Sequence, residues 1–171
     1  LTFDPLGNLF STDCHTRPIY QLLRGACYPS FGRPHDGLGF APEMLQHDHG
    51  STAISGIVYL ADDSVFPKDF RDNIFVGNVV TNRINHDRIA WHGSSPKGIE
   101  QPDFVWSEDN WFRPVQTRTG PDGALYVVDM YRFVIEHPRW IPAERLAQLD
   151  VRAGADMGRI YRVKPAGAAA L

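Results

Sequence analysis

The sequence lacks the signals that define several large protein classes. No apolar run approaches the roughly 18 residues of a membrane-spanning helix, and the longest, such as Ile57–Ala61, have the length of a strand. Lys and Arg total 17 against 20 Asp and Glu, which gives a net charge of -3 and argues against nucleic-acid binding. The phosphate-loop, Gly-x-Gly-x-x-Gly, Gly-x-Ser-x-Gly and His-Glu-x-x-His motifs are absent. Cys-x-x-Cys-His is also absent, so no haem is covalently attached to this segment.

The first residues, Leu1-Thr2-Phe3-Asp4, include no initiator Met and no signal peptide. We expect a fragment of a longer protein, in which residues 1–164 fold and residues 165–171 form a tail or linker. The alternative is a mature chain from which a leader has been removed.

Cysteine is scarce, and the two residues, Cys14 and Cys27, are separated by twelve others. Two cysteines in an exported chain can form a disulfide. The alternative is a pair of free thiols.

Repeated segments are the main positive signal. Residues 3–13 and 119–129 share the pattern Pro-x-Gly-x-Leu-aromatic-x-x-Asp, and residues 66–78 form a looser copy with a helical turn before the strand. Pro and Gly favour a tight turn, and the apolar alternation after them predicts a short strand. Repeats roughly 50 to 65 residues apart are typical of β-propeller blades. We therefore predict an all-β fold of about three blades in an open, incomplete propeller with an exposed blade edge.

Helical signals are few. Pro142–Leu149 predicts a short helix, because proline is favoured in the first turn and good helix formers follow it. Arg17–Arg24 is predicted to form one or two helical turns. Gly158–Val163 is predicted to be the last strand.

A polar cluster directly follows the first repeated strand. His15 is a candidate general base, because the histidine pKa suits proton transfer near neutral pH. Arg17 is a candidate ligand for a carboxylate or quinone oxygen. The alternative is that Asp13 and Thr16 cap a turn.

The long loop from Tyr28 to Ser51 contains two further candidate clusters. His35 and Asp36 form a constrained polar pair beside Arg33, or else a solvent-facing turn. His47 and His49 share one side of an extended segment and are candidate ligands of one metal ion, with Asp48 between them. Three carboxylates offer an alternative Ca²⁺ site, namely Asp13, Asp36 and Asp48. A hydrogen-bonded loop network is the remaining interpretation.

An aromatic and acidic loop precedes the last repeat. Trp106 and Trp111 are candidates for stacking on a planar or sugar-like ligand, or for packing between blades. Because Asp129 and Arg132 follow a strand as Asp13 does, repeat equivalence predicts that both face the axial opening and bind a cofactor.

Several long motifs resemble one bacterial family. They are Leu9–His15, Tyr28–Pro42, His49–Thr52, Phe70–Asn78 and Trp111–Val115. They resemble the large propeller proteins of planctomycetes and verrucomicrobia, known as membrane-bound dehydrogenase-like or PVC-type haem-binding proteins. The resemblance extends over residues 3–163.

That resemblance implies a fold and an activity. The family is similar to soluble quinoprotein glucose and sorbosone dehydrogenases, in which a six-bladed propeller binds pyrroloquinoline quinone and Ca²⁺ on its axis. It implies an exported, periplasmic or cell-envelope oxidoreductase acting on a sugar or alcohol, with the cytochrome c domain of the parent chain as partner. By this analogy the general base is His15 or His35, and Asp13 or Asp36 orients it. Arg17 or Arg33 binds the quinone oxygens.

Two other functions remain open on the sequence. The aromatic loop is compatible with a non-catalytic propeller that binds a glycan or a protein. The His47 and His49 pair is compatible with a metal hydrolase.

Overall fold

The computed structural model describes residues 1–15, 17–30, 38–50 and 53–168, and it is nearly all-β. In chain order the strands are β1 (Thr2–Phe3), β2 (Leu9–Thr12), β3 (Ile19–Leu22), β4 (Ile54–Leu60), β5 (Asn73–Asn78), β6 (Arg83–His92), β7 (Ser95–Trp106), β8 (Pro114–Thr119), β9 (Leu125–Asp129) and β10 (Arg159–Val163). The helical elements are short: 3-10 turns at Lys68–Phe70 and Pro138–Trp140, and helix α1 at Ala143–Leu146.

The strands form three small antiparallel sheets, each built from strands consecutive in the chain. The first is β1-β2-β3, the central one β4-β5-β6-β7, and the third β8-β9-β10. Strands that follow one another in the chain pair antiparallel, so each sheet is a meander, although the long segment 130–158 separates β9 from β10. The all-β prediction is therefore confirmed, with three sheets in place of the predicted three blades.

The central sheet is covered on both faces. Successive residues of a strand point to opposite faces, so the apolar run of β4 divides between two cores. Ile57 and Tyr59 pack with Phe10 and Ile19 of the first sheet, and these residues form the first core. On the other face, Val58 and Leu60 pack with Leu125 and Val127 of the third sheet. The continuous apolar run of β4 is thus explained by burial on both sides.

Close backbone approach joins the central and third sheets. A Cβ atom on Gly77 would overlap the carbonyl oxygen of Pro114, at the start of β8. The Ser55 hydroxyl donates hydrogen bonds to the carbonyls of both residues, at 3.0 Å to Gly77 and 2.9 Å to Pro114. Arg118 donates to the Ile57 carbonyl at 2.7 Å. Glycine is therefore required at position 77 for the two sheets to approach this closely.

Local predictions succeed where the signal is local. The turn of the looser repeat is the 3-10 turn Lys68–Phe70, and the predicted helix after Pro142 begins at Ala143. The predicted last strand is β10. The prediction of helical turns over Arg17–Arg24 is wrong, because these residues contain β3, which pairs with β2 and buries Ile19 and Tyr20. Tertiary pairing overrides the weak local preference there.

Two general features complete the fold. Within the described ranges, no helix has the length and apolar character needed to cross a membrane. Cys14 and Cys27 are both exposed and are not joined by a disulfide.

Replacing Gly77 tests the close approach of the sheets. Gly77→Ala is expected to lower the free energy of unfolding by about 2–3 kcal/mol, because the Pro114 backbone must move. Urea denaturation measures this change. Gly158→Ala is the control, since its added Cβ would lie 3.6 Å from its nearest neighbours. Equal stabilities for the two variants would contradict the packing described here.

Candidate functional site

Two histidines and one aspartate meet on the face of the central sheet that packs against the first sheet. The Nε2 atom of His47 lies 2.8 Å from Oδ1 of Asp87, and the Nε2 atom of His49 lies 2.7 Å from Oδ2. The Asp87 side chain is fully buried, the His49 side chain is 1% exposed, and the His47 side chain is 22% exposed. One carboxylate therefore holds both imidazoles, one on each oxygen.

The segment 43–50 carries the two histidines across the sheet. Met44 and Leu45 anchor it in the first core, and Gly98 of β7 donates a backbone hydrogen bond to the Met44 carbonyl at 3.0 Å. Lys97 donates to the Glu43 carbonyl at 2.6 Å. A Cβ on Gly98 would overlap the Leu45 side chain, so this glycine allows the segment to lie close to β7.

Asp87 occupies a core position of β6. It pairs with Ile74 on one side and with Glu100 on the other, and Ile74 belongs to the first core. A buried carboxylate needs compensating hydrogen bonds or positive charge. Burial opposes the charge on His49, but the hydrogen bond and negative charge of Asp87 outweigh it and raise the His49 pKa. The pair thus favours a positive charge beside Asp87.

A polar cavity of about 500 Å³ lies beside His49. It forms where β7 bulges: Ile84 pairs with Val105 but His86 pairs with Gln101, so β7 is longer than β6 over this stretch. The bulge brings Asp103 to Asn85, which donates to its carboxylate at 2.7 Å, while Arg83 pairs with the other carboxylate oxygen.

Hydrogen bonds hold this cavity wall in place. Asn78 donates to the His49 carbonyl at 3.0 Å and to the Asn85 side-chain oxygen at 3.2 Å, and it accepts from the Thr81 backbone at 3.2 Å. The buried amide of Asn78 in β5 therefore connects segment 43–50 with β6 and with the turn at Thr81.

Among the residues that the structure describes, two buried polar atoms at the cavity have no hydrogen-bond partner. They are Nδ1 of His49 and the Thr81 hydroxyl oxygen. The nearest charged group to His49 Nδ1 is Glu100 Oε1, at 3.7 Å, beyond hydrogen-bond distance. Unpaired polar atoms are costly, so these two positions favour a ligand that supplies their hydrogen bonds.

His86 lies on the opposite face of the same strand. Its ring stacks on Phe75, with 4.6 Å between centroids, and on Phe70 at 5.6 Å. Its Nε2 atom is buried without a partner, and burial lowers its pKa against the opposing charge of Asp87. His86 is thus a neutral, aromatic-packed core residue.

The first predicted cluster forms a turn. Asp13 accepts a hydrogen bond from the His15 backbone at 2.9 Å, and His15 is exposed. Arg17 lies 3.9 Å from Glu43, with both side chains 36% exposed. Asp13, His15 and Arg17 do not line the polar cavity beside His49. They also do not line three further cavities, which lie at Trp106, Trp140 and Tyr59.

Asp129 and Arg132 are engaged by the chain itself. The buried Asp129 carboxylate accepts from the backbone of Arg113 at 2.8 Å and of Tyr131 at 2.9 Å, and from Arg159 at 3.2 Å. Arg132 donates to the carbonyls of Gly154 and Ala155. These contacts stabilise the corner after β9, and the cofactor role remains a prediction.

The other predicted residues are dispersed. Asp48 is exposed and accepts from the Gly50 backbone at 2.9 Å; it lines the polar cavity but does not belong to the group of His47, His49 and Asp87. Trp106 is 63% exposed, so it does not pack between sheets, while Trp111 contacts the rings of Tyr131 and Phe133. The predicted residues Arg33, His35 and Asp36 lie outside the described residues, as does Thr16.

Sequence reasoning missed Asp87 and the cavity residues outside segment 43–50. The signal was the polar run Asn85-His86-Asp87 between Ile84 and Ile89, which are both buried. Buried polar residues inside a strand indicate a built site more often than a solvated face.

One comparison with known proteins gives a match. A family model described as a domain of unknown function, DUF7133, matches residues 14–167. The chain belongs to the DUF7133 family. Comparison with curated proteins and with solved structures gave no match. The DUF7133 match covers β3 to β10, and so includes His47, His49, Asp87 and the cavity.

Asp129→Ala tests the structural role of the corner after β9. We expect a loss of about 3 kcal/mol or more in unfolding free energy, because two buried backbone N–H groups and Arg159 lose their acceptor. Asp62→Ala is the control, because Asp62 is 85% exposed in its pair with Arg71. Native stability of Asp129→Ala in thermal and urea unfolding would refute this role.

His86→Phe tests the buried imidazole through pH dependence. Because the folded-state pKa of His86 is lowered from 6.5, the unfolded chain binds a proton more readily, and stability falls as pH drops below about 6.5. His49, with its raised pKa, acts in the opposite sense but is present in both proteins.

The expected result is a smaller loss of unfolding free energy between pH 7.5 and pH 5 in His86→Phe than in the unmodified protein, by about 1 kcal/mol. Urea denaturation at both pH values gives the difference. His92→Gln, an exposed change on the same strand, serves as control. Parallel pH profiles for all three proteins would show that His86 is not held neutral.

Proposed function

We propose that this chain supplies three blades of a β-propeller oxidoreductase and that its polar cavity binds a sugar or other polyhydroxylated substrate. The observation that carries the proposal is the pair of unpartnered atoms, His49 Nδ1 and Thr81 Oγ1, beside a wall of hydrogen-bonded side chains.

The propeller part of the proposal is supported by the way the sheets pack. Each sheet is a meander of consecutive strands, and the central one is sandwiched face to face between the other two. The first strand of the central sheet, β4, also lies against the first strand of the third sheet, β8, as the Ser55 to Pro114 and Arg118 to Ile57 hydrogen bonds show. Inner strands that meet around a common axis are the arrangement of propeller blades.

The mixed chemistry of the cavity favours hydroxyl groups. Asp48, Glu100 and Asp103 offer acceptors, while Arg83 offers donors. A simple anion would meet three carboxylates, and a simple cation would meet Arg83. A hydroxyl can donate to one wall group and accept from another, and it suits His49 Nδ1 in either protonation state.

The chain's part in this proposal is substrate binding. The resemblance implies quinone and Ca²⁺ as cofactors, but Asp129 and Arg132 are committed to the backbone and Asp13 caps its own turn. Asp13, Asp129 and Arg132 are thus engaged within the chain, and no chemical step is assigned through that cofactor.

Thr81→Val tests the cavity with little risk to folding. The hydroxyl has no partner, so its loss leaves the unfolding free energy unchanged or slightly higher, while affinity for the ligand falls about tenfold. Calorimetric titration against a panel of sugars and polyols measures binding. Glu108→Gln, an exposed change outside the cavity, is the control. Absence of binding by any panel member, or equal affinity of Thr81→Val, would overturn the proposal.

A binding module without catalysis is the second candidate. Trp106 is 63% exposed beside an apolar groove of about 480 Å³ that also contains Phe112 and Tyr161. Exposed aromatic rings bind glycans and protein side chains by stacking. Ligand binding that is lost in Trp106→Ala but kept in Thr81→Val, with no dye reduction by the bound ligand, would favour this function.

A further inference from the structure

The fully buried Asp87 lies beneath two imidazoles and is contacted by no Lys or Arg within the part of the chain that the structure describes. The Nε2 atom of each ring lies within hydrogen-bond distance of one Asp87 carboxylate oxygen. Such a carboxylate requires positive charge close by, since a lone buried anion is strongly destabilising.

We propose that His47, His49 and Asp87 form a binding site for a divalent transition metal such as Zn²⁺. Their ligand atoms all lie within 4.8 Å of one another. Two imidazole nitrogens and one carboxylate oxygen are three of the four ligands of a tetrahedral zinc site, and the fourth position is open. The proposal goes beyond the cavity function, because the metal binds on the Asp87 side of His49 and the cavity lies on the other.

Only small movements separate the present geometry from a coordinated one. The nitrogen–oxygen distances of 2.7 and 2.8 Å are those of hydrogen bonds. Metal–ligand bonds of about 2.0–2.1 Å in a tetrahedron separate neighbouring ligand atoms by about 3.3–3.4 Å. Each nitrogen–oxygen separation therefore widens by about half an ångström, and ligand atoms that lie near the 4.8 Å limit close by about 1.4 Å.

Metal binding also sets the position of the proton on each histidine ring, and a neighbouring group can accept a hydrogen bond from it. Coordination through Nε2 requires that each neutral imidazole carry its proton on Nδ1. At His49 this N–H faces Glu100 Oε1, 3.7 Å away on a side chain that is 56% exposed and free to approach. A carboxylate behind a metal-bound histidine is the usual support of such ligands. Glu100 is therefore a positioning residue of the proposed site.

The nature of the ligands selects the metal. Ca²⁺ and Mg²⁺ prefer oxygen ligands, whereas imidazole favours Zn²⁺, Co²⁺, Ni²⁺ and Cu²⁺. The Ca²⁺ site predicted from three loop carboxylates stays a prediction, because one of them, Asp36, lies outside the described residues. The half-buried His47, with 22% of its side chain exposed, provides the route of entry.

Metal titration of the purified protein tests the site. Because the two exposed thiols bind Zn²⁺ themselves, the parent protein carries Cys14→Ser and Cys27→Ser. After treatment with chelator, equilibrium dialysis with Zn²⁺ is expected to give one bound ion per chain. Co²⁺ is expected to give the visible absorption of a tetrahedral complex.

Three variants locate the ion. His47→Gln is expected to lower Zn²⁺ affinity at least tenfold, and Glu100→Gln is expected to lower it less. Asp48→Asn, a change at an exposed residue between the two histidines and outside the group of three ligands, is expected to leave it unchanged. Thr81→Val, which removes a hydroxyl from the cavity, is also expected to keep full metal affinity. Loss of sugar binding and loss of metal binding can therefore be measured separately, and each tests its own proposal.

A measurement on the parent protein alone does not depend on whether the variants fold. Zn²⁺ at about one hundred times its Kd is expected to raise the melting temperature by about 5 °C, whereas Ca²⁺ has no such effect. The proposal is overturned if the parent protein binds neither Zn²⁺ nor Co²⁺ at millimolar concentration. It is also overturned if His47→Gln and Asp48→Asn bind Zn²⁺ equally well.

Discussion

The burial of both faces of the central sheet is the constraint on which the rest of the structure depends. The alternation of β4 sends Ile57 and Tyr59 into one core and Val58 and Leu60 into the other, so neither outer sheet can leave without exposing a hydrophobic face. Glycine at position 77 and the Ser55 hydrogen bonds keep the third sheet at backbone contact distance.

The candidate site follows from that burial. A polar residue on a doubly covered sheet must find its partners inside the protein, and the covering segment 43–50 brings His47 and His49 to Asp87. The bulge in β7 opens the cavity on the other side of His49. A single histidine therefore separates the proposed metal site from the proposed substrate cavity, and its backbone is held by Asn78.

Sequence patterns predicted the elements whose causes are local. The Pro and Gly turns, the short strands after them and the helix after Pro142 depend on neighbouring residues and were recognised. The strand β3 was not, because its conformation comes from pairing with β2. Asp87 was not recognised either, because it lies 40 residues from His47 and only the folding of segment 43–50 over β6 unites them.

By itself, the sequence determined an all-β chain of repeated turn-and-strand units, and it placed two histidines two residues apart on one extended segment. Turn chemistry and apolar alternation act over a few residues, so they can be read directly. Only the tertiary structure decided which carboxylate faces those histidines and that Asp129 and Arg132 stabilise a corner. Contacts between distant segments depend on sheet packing and strand register, which local patterns do not encode.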